Sequence, residues 1–287
     1  MTLGRAPHDP ASAEDGNAVD GPTLFARYAY PPNALGYCGP NDDGLLLRRG
    51  ACGHGVGRSS PADPGVDVTA LARAFDGAWP YLEFIADVTG RRPLDLEVVE
   101  AYWLGGGLLD KIDLGEYGDD LLGRLRRRAG PSAKVPSTAP ADARPDHNFH
   151  VFEVYPWMAF LAAGRGGDRP LYVLDRCRIR WGEVLAVDVD RGEGGHNPRG
   201  DPGNGPAQCE VRFQPLTWDG AALGLGEAQC ETATWTSGGI GFVQDVKPGD
   251  QVALHWDWVC DRLDPQRLED LRNSTVRQLG ITNRQAS

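Results

Sequence analysis

The sequence predicts an α+β protein, with a mainly helical N-terminal domain followed by a small OB-like β-barrel and a C-terminal helix. Apolar residues recur at helical spacing in the first half, short β-branched and aromatic runs dominate the second half, and a capped amphipathic pattern closes the chain. The 287 residues are enough for one large or two modest domains. We assign 1–21 to a disordered tail, 22–168 to the helical domain, and 169–287 to the barrel with its helix.

Helical spacing is clearest from Asp67, a suitable N-cap, to Gly90, a helix stop. Pro80 falls inside this pattern, so we expect a kink or a break there. The further segments predicted in this half are a helix from Asp95 to the glycines at 105–107, a helix over about 117–129, and a mobile Pro- and Ala-rich loop at 131–146.

From about Pro170 the pattern changes to short apolar runs separated by Gly, Pro, Asn and Asp, as in a small barrel. The runs predicted as strands are 171–190, 208–220 and 231–246, and a mobile hairpin loop is predicted at 191–207. A closing helix is predicted over 264–280, capped by Asp264 and Pro265, with Leu268, Leu271, Val276 and Leu279 facing inward.

The stretch VKPGDQVALHWDWV, residues 246–259, predicts one further strand entered through a Pro-Gly-Asp turn. Alternation places Val252, Leu254, Trp256 and Trp258 on one face and His255 on the other. This pattern leaves two interpretations open, because His255 is either a solvated outward residue or a functional one.

Composition excludes several classes of protein. A net charge of −11 argues against nucleic-acid binding, which requires a positive surface. No apolar run is long enough to span a membrane, and residues 1–21 lack a signal-peptide core, so we expect a cytoplasmic protein. The six cysteines form no CxxC pair and no standard zinc spacing, which predicts free thiols in a reducing compartment.

Three segments of the second half, in order, resemble the HypC family, the small chaperones of nickel-iron hydrogenase maturation. The first is CRIRWGEVLAVD at 177–188, which has a leading cysteine and a G-x-V strand. The second is VKPGDQVALHWDWVCDRLD at 246–264, which has a Gly-Asp turn and a histidine. The third is the closing helix at 265–279. The first half, in 24–40 and 147–157, resembles uncharacterised actinobacterial proteins associated with hydrogenases.

The HypC resemblance implies a function for two residues. In that family the cysteine thiolate and the strand histidine help to hold an iron with cyanide and carbonyl ligands, which the chaperone passes to the hydrogenase large subunit. Cys177 matches the cysteine and His255 the histidine, and thiolate with imidazole suits such an iron. Three arginines nearby would favour the thiolate form of Cys177, namely Arg176, Arg178 and Arg180.

We therefore expect an accessory chaperone or adaptor, rather than an enzyme, that binds iron transiently. Its partner would be the hydrogenase large-subunit precursor or another maturation protein. A barrel kept only for docking and a structural subunit of a hydrogenase complex remain alternatives.

A second candidate site comes from HNFHVFEVYPW, where His147, His150 and Glu153 lie three residues apart. On a helix, two imidazoles and a carboxylate at this spacing could bind iron, nickel or zinc. The alternative function is thus a metal-dependent enzyme that uses these residues, with Cys38 or Cys52 contributing. Histidines among Phe, Tyr and Trp are also common as ordinary core residues, so this interpretation stays open as well.

Overall fold

The computed structural model describes residues 19–41, 44–51, 68–128, 134–187 and 206–286. Three features predicted from the sequence fall wholly or mostly outside these ranges. They are the tail at 1–21, of which only the last residues are described, the Cys52 loop, and the hairpin loop at 191–207. The predicted cap Asp67 also lies outside them.

The fold is α+β, as predicted. The helices are α1 (Gly21–Ala34), α2 (Leu45–Gly50), α3 (Val68–Arg73), α4 (Trp79–Thr89), α5 (Leu96–Leu104), α6 (Leu114–Arg128), α7 (His147–Phe149), α8 (Trp157–Ala162), α9 (Arg169–Cys177) and α10 (Pro265–Ala286), with a 3-10 turn at Leu109–Lys111 and a π-helix at His150–Val154. The strands are β1 (Arg180–Val187), β2 (Ala207–Phe213), β3 (Leu216–Trp218), β4 (Leu223–Leu225), β5 (Gln229–Ser237), β6 (Ile240–Gly241), β7 (Gln251–His255) and β8 (Trp258–Arg262).

The predicted break near Pro80 is present, on the N-terminal side of the proline. α3 ends at Arg73 and α4 begins at Trp79, so Pro80 lies in the first turn of α4, where its missing N–H is tolerated. Gly90 ends α4 in the left-handed conformation (φ 68°). Asp95 and Gly105 flank α5 as predicted.

Five strands are joined in a ring that gives the second half its OB-like arrangement. The sheet order is β2-β1-β7-β8-β5-β6, and an additional pairing of β2 with β5 connects the two sides. All pairings in the ring are antiparallel except that of β5 with β8, which is parallel at Thr234 and Trp258. Two further short strands, β3 and β4, form a separate hairpin.

The prediction that the strand run begins at 171 is wrong, because residues 171–177 belong to helix α9. Pro170 lies in the first turn of this helix, and Val173, Leu174 and Cys177 form its buried face at helical spacing. The first strand starts three residues after the helix, at Arg180.

The single strand predicted through Trp258 is also wrong. β7 ends at His255, a turn follows, and β8 starts at Trp258 and pairs back onto β7. Trp256 lies in this turn with φ 52°, a left-handed backbone that is rare for a large residue. The turn gives Trp256 and Trp258 different environments, so they do not share a face with Val252.

The outer face of β7 is covered by the helical half of the chain. Val252 and Leu254 point into the barrel core, whereas Ala253 packs in a core cluster with residues of α1, α4 and α5. His255 follows the same side as Ala253 and is completely buried. The interpretation of His255 as a solvated residue is therefore wrong, because the face of β7 on which it lies is covered by the helical half.

Helix α10 connects the two halves. Asp264 caps it through the amide of Arg267 (2.9 Å), and Leu271 and Leu279 are buried as predicted. Val276, predicted to face inward, is instead 59% exposed. The inward positions near Val276 on α10 are polar instead. Ser274 forms a hydrogen bond with Asp146, and Gln278 and Thr282 form hydrogen bonds with Glu153.

No helix among the described residues is long and apolar enough to cross a membrane.

Candidate metal centre

Three buried side chains from separate parts of the chain come together where the barrel meets the helical half. His147 begins α7, Cys177 ends α9 and His255 ends β7. One potential ligand atom of each residue lies within 4.8 Å of those of the other two. We call these three residues the His–Cys–His cluster. The structure thus brings together both residues suggested by the HypC resemblance and one from the second predicted site.

His255 presents a preformed lone pair to the cluster. Its Nδ1 lies 2.6 Å from the carbonyl oxygen of Tyr28, which can only accept, so Nδ1 carries the proton and donates it. Its Nε2 is buried and has no hydrogen-bond partner in the part of the chain that the structure describes. An unpaired buried nitrogen costs about 1–3 kcal/mol, and such a group in a folded protein calls for an explanation.

His147 is held by bonds to both ring nitrogens. Its Nε2 lies 2.9 Å from the carbonyl oxygen of Cys177, so it donates to that oxygen. Its Nδ1 then accepts from the hydroxyl of Tyr102, 3.2 Å away. That hydroxyl also lies 3.1 Å from the carbonyl oxygen of Gly77. If the ring proton moves to Nδ1, Tyr102 can accept from it and donate to Gly77, which leaves Nε2 free as a ligand.

Burial keeps the imidazoles neutral. It lowers the pKa of His147 to about 4, and it lowers the pKa of His255 well below its ordinary value, with His147 adding to that shift. Neutral imidazoles have the lone pair that a metal ion needs, so both rings are competent ligands at neutral pH.

The prediction that arginines favour the Cys177 thiolate is wrong. Burial raises the pKa of this thiol above its ordinary value, and Cys38 adds to the effect. The neighbouring guanidinium groups are paired with carboxylates instead. Arg178 bonds to Asp175 (2.9 Å) and Arg180 to Glu231, whereas Arg176 bonds to both Glu231 (2.7 Å) and Asp257 (2.9 Å). Cys177 is therefore a neutral thiol at neutral pH.

The second predicted site is not assembled as a unit. Glu153 accepts hydrogen bonds from Gln278 (2.8 Å) and Thr282 (2.7 Å) of α10. Among the described residues, it belongs to no group of three metal-ligating side chains. His150 begins the π-helix, a feature often found at functional sites, and its ring centre is 6.2 Å from that of His147.

A cleft of about 410 Å³ is lined by His150, whose ring contacts that of His147, and we call it the His150 cleft. Its walls include Tyr37, Cys38, Gly77, His150 and Tyr155. Both ring nitrogens of His150 are buried, and neither has a hydrogen-bond partner among the described residues. Burial lowers the pKa of this histidine to about 3. Burial also raises the pKa of the Cys38 thiol to about 12.

A family model matches residues 17–194 and 203–287, which is most of the chain. The chain belongs to DUF6390, a family of unknown function. No curated protein and no solved structure matches it. In this DUF6390 protein, all residues of the His–Cys–His cluster and His150 lie within the matched ranges.

Sequence reasoning missed three parts of this DUF6390 site. They are the proximity of His147 to Cys177 and His255, the hydrogen bond between Tyr102 and His147, and the cleft beside His150. The available signal was weak, because it consisted only of polar residues embedded in strongly apolar segments.

Proposed function

We propose that this protein binds a metal ion at the His–Cys–His cluster and serves as a non-catalytic accessory protein in metal-centre assembly. By resemblance to the HypC family, the ion would be iron and the process nickel-iron hydrogenase maturation. The observation that carries the proposal is the meeting of Cys177, His147 and His255 within 4.8 Å. The proposed partners are the hydrogenase large-subunit precursor or a maturation protein, and a cytoplasmic location stays a prediction.

The donor set fits a first-row metal ion. One thiolate and two imidazoles are ligands that suit iron, copper, nickel and zinc. Bond lengths of about 2.0–2.3 Å in a tetrahedral site put ligand atoms roughly 3.3–3.6 Å apart. The three atoms therefore need to approach one another by at most about 1.5 Å, which is within reach of side-chain adjustment.

Each residue contributes a distinct step. His255 binds through Nε2 without rearrangement, because Tyr28 already fixes its proton on Nδ1. His147 must release the carbonyl of Cys177 and shift its proton toward Tyr102. Cys177 must lose its thiol proton. Because binding requires two protons to be moved, the metal affinity of such a site should fall as pH is lowered.

Metal titration of the purified protein tests the binding part. We expect the wild type to take up about one Co²⁺ or Fe²⁺ per chain, and Cys177→Ala to lose at least about tenfold in affinity because it removes the only thiolate. Cys209→Ala is the matched control, since Cys209 is equally buried but lies inside the barrel core. Equal affinity in Cys177→Ala and the wild type would refute the metal site.

Co-purification tests the biological part. We expect tagged protein to capture the hydrogenase large-subunit precursor, and Cys177→Ala to lower hydrogenase activity in cells while Cys209→Ala does not. Persistent association with mature hydrogenase would instead favour a structural subunit. Unchanged hydrogenase activity in the Cys177→Ala strain would remove the maturation role.

A further inference from the structure

The His–Cys–His cluster is closed on several sides. The ring of Trp103 packs 4.7 Å from His147 and 5.8 Å from His255, measured between ring centres. Tyr28 covers the Nδ1 side of His255, and Trp256 is 2% exposed. An ion that binds at the cluster therefore needs a defined path through the protein.

The His150 cleft provides such a path. The ring of His150 is nearly parallel to that of His147, at 26°, with ring centres 6.2 Å apart. His150 is 6% exposed and lines the cleft, so one side chain contacts both the cleft and a member of the cluster. Tyr155 packs 4.5 Å from it between ring centres and lines the same cleft.

The ring nitrogens of His150 have no hydrogen-bond partner among the described residues, and both are buried. The neighbouring His147, by contrast, is satisfied by the hydroxyl of Tyr102 and the carbonyl of Cys177. A β-carbon at Gly77 would lie only 2.8 Å from Nε2 of His150, so only glycine leaves room for the ring here. An unpaired imidazole that costs stability, and for which space is reserved, points to a ligand.

A second soft donor lies in the same cleft. Cys38 is partly buried and lines the cleft with His150. It is close enough to Cys177 to influence that thiol electrostatically. Cys38 and His150 thus provide a thiol and an imidazole in the cleft, whereas the His–Cys–His cluster provides a thiol and two imidazoles.

We propose that the His150 cleft is the access route to the His–Cys–His cluster, and that His150, assisted by Cys38, binds a soft or borderline divalent cation transiently before it moves inward. This inference rests on the proposed metal site and adds its loading pathway. His150 acts as a relay and holds no ion once the cluster is filled.

Stopped-flow loading of the full-length protein with Co²⁺ tests the route, with the thiolate-to-cobalt absorption of the filled cluster as the signal. His150→Phe keeps an aromatic ring against Tyr155 but removes both donors. We expect it to load at least tenfold more slowly than the wild type and to reach the same final stoichiometry. Cys38→Ser should slow loading less, and Cys230→Ser, at an exposed position, should not change it.

The outcomes separate the two proposals. Equal loading rates in the wild type and His150→Phe, with full occupancy in both, would overturn the route and leave the metal site standing. A lower final stoichiometry in His150→Phe would show that His150 is a permanent ligand, which also overturns the relay. A wild type that binds no Co²⁺ would overturn the metal site and the route together. Near-ultraviolet circular dichroism confirms that each variant is folded.

Discussion

Burial lowers the pKa of three histidines, His147, His150 and His255, well below that of a histidine in an unfolded chain. A depressed pKa contributes stability that is fully present above the unfolded value of about 6.5 and is lost as pH falls toward the folded value. Asp146 acts in the opposite direction, because burial raises its pKa to about 6 and its contribution is lost as pH rises. The three histidines thus make the free energy of unfolding fall in acid, and Asp146 partly offsets that effect.

The contribution of His150 can be isolated by comparing variants. Its pKa of about 3 predicts that the wild type loses about 2–3 kcal/mol, relative to His150→Phe, between pH 7 and pH 4.5 in metal-free buffer. Guanidinium unfolding at several pH values measures this difference. Val151→Ala, at a buried position without a titrating group, should show a pH-independent change. A constant difference between the wild type and His150→Phe would contradict the neutral, buried imidazole.

At the scale of the element, strand β1 depends on a close approach at Gly182. A β-carbon there would lie 2.3 Å from Cγ1 of Val211 and 3.1 Å from the carbonyl oxygen of Arg212 on β2. Because the Val side chain is stiff, neither neighbour can move away cheaply. This explains in physical terms why a glycine occupies position 182 of β1.

Substitution at Gly182 should therefore weaken the barrel. We expect Gly182→Ala to lower the free energy of unfolding by about 1–3 kcal/mol through overpacking. Gly123→Ala in helix α6 is the control, because its β-carbon would meet only the end of Arg127 at 3.5 Å. That change should stabilise the protein by up to about 1 kcal/mol through helix propensity. The denaturant midpoints of both variants measure these changes. An unchanged midpoint in Gly182→Ala would show that β1 and β2 can move apart without cost.

At the scale of the whole molecule, the helical half and the barrel share a hydrophobic core. Trp181, Ala253 and Cys260 of the barrel pack in one cluster with residues of α1, α4 and α5. Leu271 and Ile281 of α10 belong to the same cluster. The predicted division at 168 and 169 falls between α8 and α9, which pack together in a second hydrophobic cluster.

A fragment experiment tests this cooperativity. We expect residues 169–287, expressed alone, to lack a cooperative unfolding transition, since the outer face of β7 and the ring of His255 lose their cover. Co-expression with residues 1–168 should restore it. Sharp thermal unfolding of the isolated fragment, with native near-ultraviolet circular dichroism, would show instead that the barrel is an independent domain.

Local patterns predicted α4, α5, α6, α10 and most barrel strands, because caps, glycines and periodicity act within a few residues. They did not predict α9, since a short apolar run such as 171–174 fits a strand or a helix equally well. The HypC resemblance, and not periodicity, suggested that Cys177 and His255 belong together. Nothing local could join His147 to them, because the contact depends on how α7 packs against α9 and β7.

The assembly of the cluster from α7, α9 and β7 has a consequence for protein synthesis. His255 emerges from the ribosome long after His147 and Cys177, and β8 and α10 must follow before β7 is enclosed. Domains fold from the N-terminus onward during translation, but this cluster cannot form before His255 has been synthesised. A nascent chain therefore has no assembled cluster before β7, β8 and α10 have folded, and the metal binding proposed above would have to follow that step.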